Sequence, residues 1–137
     1  VTYRMNDPLH TLNQAEIAVM FWQTVVDSGL FPDEESVMLE NPSTRAVFPC
    51  CTLSVPLARP LYMGRAYDIS ITVEVWADKQ LDAVRLFEQL RTELEKLNLR
   101  QTGNVPSQQD DITEKWRFGG YFEVRWNAID NTFERNN

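Results

Sequence analysis

Cysteine, histidine, surplus positive charge and long apolar runs are scarce in this 137-residue chain, and each scarcity removes a class of function. The two cysteines, Cys50 and Cys51, are adjacent, and chain neighbours bridge only through strained geometry. A secreted disulfide framework is thereby excluded, and the pair reads as two reduced thiols in a strand, as in a cytoplasmic protein. The one histidine, His10, cannot complete a zinc site with them at any usual spacing, so no metal and no cofactor is expected. It is also the one imidazole base that could serve Cys50 as a nucleophile, and no catalytic set is assigned. No apolar run reaches the roughly 20 residues of a membrane span. The opening VTYRMNDPLHTLNQ has neither a basic start nor an apolar h-region, so no secretory leader is expected. Thirteen basic residues face twenty acidic ones, for a net charge of −7. The bases are scattered, which argues against a protein that grips nucleic acid, because that affinity comes from clustered Lys and Arg.

What is present is the length and apolar content of one domain with a real core. Ile17, Met20, Phe21 and Val25 recur at helical spacing, Thr11 or Asn13 can cap them, and Gly29 supplies a stop. A helix over 12–28 follows, with Trp22 and Val26 widening its apolar face. Pro32, Asn41-Pro42 and Ser43 signal loop, with a short strand over 37–40 between them. The run 46–57 alternates, placing Val47, Cys51, Leu53 and Val55 on one face, while Pro49 and Pro56 favour an edge or a bulge. LARPLYMGR (57–65) reads as a loop.

AYDISITVEVWA (66–77) is the clearest strand, with Ile69, Ile71, Val73 and Val75 against Asp68, Ser70, Thr72 and Glu74. Asp78 is placed to cap a second helix over 79–97, whose stripe is Leu81, Val84, Phe87, Leu90, Leu94 and Leu97. An Arg91–Glu95 pair would brace its outer side. LRQTG (99–103) reads as a short strand, NVPSQQDD (104–111) as a polar loop and 131–137 as a frayed tail.

The final apolar stretch, TEKWRFGGYFEVRWNA (113–128), holds Gly119-Gly120. Trp116, Phe118, Phe122, Val124 and Trp126 are all even-numbered, so a two-residue turn at the glycines would split them between faces. A three-residue loop of 118–120 or one bent strand keeps them together, and both remain open. Both tryptophans are then core residues rather than a base-stacking platform. The glycines lack the lysine and following helix of a phosphate loop, and Glu34-Glu35 and Asp110-Asp111 read as solvated loop acids. The fold class predicted is α+β: an antiparallel-rich sheet of four to five strands, two helices on one face, in the order α-β-β-α-β-β. The structured core is expected over 10–130. Leu61, Tyr62 and Met63, beside Arg59 and Arg65, are the candidate partner-binding residues, because apolar side chains on a loop often meet a partner.

The phrase YDISITVEVWADKQLDAVRLFEQLRTEL, an alternating strand entering an amphipathic helix through a short acidic link, together with the late GGYFEVRW, resembles the tail terminator (tail completion, or tail-to-head joining) proteins of long-tailed bacteriophages. The resemblance covers roughly residues 10–130. It implies a virion subunit without catalytic residues, assembled in the host cytoplasm. Its copies would form a homo-oligomeric ring, usually a hexamer, that caps the tail tube at the neck and joins it to the head connector. DNA would pass through the lumen without specific binding, and no membrane is involved. It further implies that the closing strand is one bent strand and that the extended loop, here 57–65, reaches the neighbouring ring.

Overall fold

The computed structural model describes residues 8–39 and 47–134. Glu40, the 41–46 turn signal, the start of the 46–57 run, the first seven residues and the last three lie outside the described residues. The elements follow as α1 (Gln14–Asp27), β1 (Val37–Leu39), β2 (Cys50–Leu53), β3 (Leu57–Leu61), β4 (Ala66–Ala77), α2 (Gln80–Glu95), β5 (Arg100–Gln109), β6 (Trp116–Asn127) and β7 (Thr132–Glu134).

The sheet is built on one pair. β4 and β6 run antiparallel and stay in register over twelve positions, from Ala66↔Asn127 to Ala77↔Trp116. β2 and β3 share the other edge of β4, β5 and β7 share the other edge of β6, and β1 adds to β2 in parallel. The sheet is therefore mixed and seven-stranded, with one parallel pair, where four to five strands were expected.

The two extra strands, β3 and β7, and the extension of β5 lie where the sequence has little apolar alternation. LARPL forms β3 rather than a loop because it pairs along β4, with exposed Pro60 at a sheet edge where a missing donor costs little. The neutral polar run to Gln109 continues β5 beyond the expected 103, and its register shifts between Val105 and Gln108, on either side of Pro106. The tail residues Thr132–Glu134 pair with Arg125–Asn127 instead of fraying.

Ile69, Ile71, Val73 and Val75 of β4 join Phe122, Val124 and Trp126 of β6 in one core. Ile17, Phe21 and Val25 of α1 and Phe87, Leu90 and Leu94 of α2 fill it from the same side. Full burial of each such side chain contributes roughly 1.5–3 kcal/mol against leaving it in water. Asn13 caps α1 by accepting from the Glu16 amide at 3.0 Å, and Gly29 after the helix has φ +72°, the left-handed stop.

The second helix departs from expectation at its start. Lys79, not Asp78, holds the capping position and makes no side-chain cap; the Asp78 carboxylate is instead bound by Lys115. Leu81 is exposed because, at about 100° per residue, it lies opposite the buried set Ala83, Phe87, Leu90 and Leu94. Arg91 turns to Gln101 Oε1 (3.3 Å) on β5, and among the described residues it forms no ion pair with Glu95.

The glycine pair lies inside one unbroken strand, which excludes the three-residue hairpin. A Cβ on Gly120 would lie 2.8 Å from Cζ of Phe87, the ring by which α2 approaches the sheet. On the other face, a Cβ on Gly119 would collide with the Val73 carbonyl and come within 2.9 Å of Glu74. Both glycines are set by close approach. Trp126 is in the core as expected, whereas Trp116, at the end of the strand, is only half-buried and outside it. No helix of the described residues is long and apolar enough to cross a membrane.

Candidate interaction surface at the β3–β4 hairpin

Strand pairing brings the five candidate residues to one hairpin, in a form the sequence did not suggest. Arg59 and Leu61 belong to β3, opposite Asp68 and Ala66. Tyr62, Met63 and Gly64 make the turn with φ of 49°, 58° and 83°, three left-handed residues in succession. The Arg65 amide closes it by donating to the Tyr62 carbonyl at 3.3 Å. A left-handed non-glycine residue costs about 1–2 kcal/mol, and two stand side by side here. Their side chains recover little of that by burial, since Tyr62 is 62% and Met63 73% exposed. Arg65 is buried, so it belongs to the hairpin's support and not to its surface. Leu61 is half-buried. The exposed set is Arg59, Tyr62 and Met63, with Leu57 of the same strand added.

The tip is braced from behind. On the sheet face away from the helices, Arg59, Asp68, Arg125 and Glu134 lie directly opposite one another on β3, β4, β6 and β7, with alternating sign. The Arg59 guanidinium donates to Asp68 Oδ2 at 2.6 Å, and Arg125 Nε approaches Asp68 Oδ1 at 3.4 Å. Arg125 also stands 5.8 Å from the Tyr62 ring centroid, a cation–π distance that ties the turn to the ladder. Asp68 is buried, which two arginines make tolerable. Alternation in the sequence set Asp68 only on the face opposite Ile69, and neither Asp68 nor Arg125 is among the five candidate residues. The signal that finds them is the cross-strand register, which a single strand's alternation does not contain.

The other candidate chemistry is placed apart from this surface. Cys50 and Cys51 are both buried. Burial pushes the Cys50 thiol up to about 12 and raises that of Cys51 as well, so neither is a thiolate nucleophile near neutral pH. His10 donates its backbone N–H to the Ala128 carbonyl at 2.7 Å. Among the described residues no group of histidine, cysteine and carboxylate side chains could hold a metal ion. The acidic pairs are local: Glu34-Glu35 open a short 3-10 turn capped by Asp33, and Asp110 accepts from Thr113.

No protein-family model matches the chain, and no curated protein matches it.

Proposed function

We propose that this chain is a structural subunit of the tail–head junction of a long-tailed bacteriophage, a tail terminator whose copies form a ring on the end of the tail tube. The observation that carries the reading is the β3–β4 turn, where Tyr62 and Met63 stand exposed in left-handed backbone on a hairpin braced by Arg59, Asp68 and Arg125. Strain and exposed apolar surface both cost a lone protein stability, and a docked partner offsets both. The resemblance of 67–94 and 119–126 to tail terminators supplies the kind of assembly.

In this reading the chain performs no reaction. A tube grows while each layer presents a surface that accepts the next layer. A ring that fits the tube on one side and a connector protein on the other ends that growth by shape. The net charge of −7 suits a lumen that lets phosphate backbones slide, because tight binding to DNA would need clustered basic contacts.

Electron microscopy of the purified chain tests the ring, and removal of the chain from an assembling virus tests its place. Closed rings, and particles with headless tails of uncontrolled length, are the expected results. Single copies in solution and in particles would overturn the proposal, and normal tail lengths would move the subunit elsewhere in the neck.

A further inference from the structure

The turn of β3–β4 has a complementary surface on the same chain. Between α1 and β7 lies an open cleft of about 290 Å³, with Ile17, Met20, Trp126 and Phe133 among its lining residues. Its polar rim includes Asn131, which accepts from Trp126 Nε1 at 3.1 Å, and Glu16. Glu16 is the only charged residue that lines it among the described residues. The hairpin 57–65 is the opposite in charge: it holds Arg59 and Arg65 and no acid. Helix α1 has Glu16 and Asp27 and no base.

Resting on the ring reading above, we propose that the Tyr62-Met63 tip of one copy seats in the α1–β7 cleft of the next, with Arg59 brought to Glu16. The fit has three parts. An apolar tip meets an apolar floor, which removes both from water. A cation meets the sole charge of the cleft, a carboxylate, and steers the approach. Each copy gives one tip and receives one, so the contact uses two different patches, the head-to-tail kind that leaves no unused ends when its rotation closes a ring. The left-handed backbone at Tyr62 and Met63 is then the device that leaves both side chains exposed at the turn. Arg59, although paired with Asp68, keeps most of its side chain in solvent, where a neighbour's carboxylate can reach it.

Two copies with different tags, one with Met63→Cys and the other with Met20→Cys, test the contact directly. The native cysteines are buried, so the introduced thiols are the ones an oxidant reaches. Mixed and oxidised, the two chains should join in a disulfide between tags, while neither chain should join to itself. As a second arm, Glu16→Arg, which leaves the Arg59–Asp68 pair intact, should weaken assembly about tenfold or more, and Glu16→Gln should weaken it less, as expected of a carboxylate that faces a cation across an interface. Oligomers without a mixed disulfide would overturn this contact while leaving the ring standing, with the tip free for a tube or connector protein. A mixed disulfide confined to dimers would keep the contact and overturn the ring. Monomers alone in native mass spectrometry, with no disulfide, would overturn both.

Discussion

The two hairpin tips at opposite ends of the β4–β6 pair differ in what satisfies them. The twelve paired positions span roughly 37 Å at about 3.4 Å per residue step. At one end, the turn 110–115 closes on itself: Asp110 Oδ2 accepts from the Thr113 amide at 2.7 Å and its hydroxyl at 2.8 Å, and the Asp110 amide donates to the Lys115 carbonyl at 2.8 Å. At the other end, Tyr62 and Met63 are left-handed and exposed, and their support comes from the ladder on neighbouring strands. A turn that needs only to reverse the chain is served by local hydrogen bonds. Both tips hold an apolar side chain outward, Ile112 at the first and Met63 at the second, so what sets the second apart is its bracing by charged residues on neighbouring strands, which holds its shape against a partner.

The largest effect expected comes from cutting that wiring. Asp68→Ala leaves Arg59 and Arg125 facing each other without their shared carboxylate. Both arginines retain solvent contact, so the loss should be about 2–3 kcal/mol rather than that of a fully buried pair. Urea denaturation measures it, and a change under 0.5 kcal/mol would remove the ladder as the hairpin's support. The equivalent cut at the other tip, Asp110→Ala, should cost less, because its bonds to Thr113 are exposed to solvent.

The next pair separates strain from docking. Met63 and Glu114 both hold positive φ, at 58° and 61°, one at each tip. Met63→Gly and Glu114→Gly should each raise stability by up to about 1 kcal/mol through relief of left-handed backbone. They should differ in assembly: Met63→Gly removes the side chain at the contact and should weaken association, while Glu114→Gly leaves it unchanged. Sedimentation of both variants beside the parent reads the difference. Equal assembly of all three would mean that the Met63 side chain has no partner.

The smallest effect is a local one in pH. The Thr113 bonds hold the Asp110 carboxyl below its usual range. A depressed carboxyl contributes stability above its unfolded value, and that contribution is lost as pH falls through the folded value. The Thr113 amide should therefore exchange with solvent faster in acid than the local chemistry alone predicts. Hydrogen-exchange NMR across acidic pH checks it, and an unchanged Thr113 rate would mean that the Asp110 bonds do not hold this turn.

The strong periodic elements were legible in the sequence for a plain reason: β4, β6 and the two helices each bury one face, and burial is what apolar spacing records. The short edge strand at 37–39 was expected as well, but three other edge segments were not. β3, the second half of β5, and β7 are held by backbone pairing to strong neighbours, and a residue such as Pro60 or Gln108 carries no trace of its partner. The glycine pair was half legible. Parity ruled out a tight hairpin at Gly119-Gly120, but only the position of the Phe87 ring explains why Gly120 has no side chain. The candidate site was found for an incomplete reason. Exposed apolar residues beside arginines marked 58–66, yet Arg65 is buried, and the bracing by Asp68 and Arg125 depends on register between strands far apart in sequence.

The central claim is that this hairpin makes the chain a subunit of a ring. Native mass spectrometry of the purified chain, with Met63→Asp measured beside it, tests that claim most directly. The account predicts one closed oligomer for the parent, and monomers of unchanged fold for the variant. A parent that stays monomeric at every concentration, or a variant that assembles as the parent does, would contradict it.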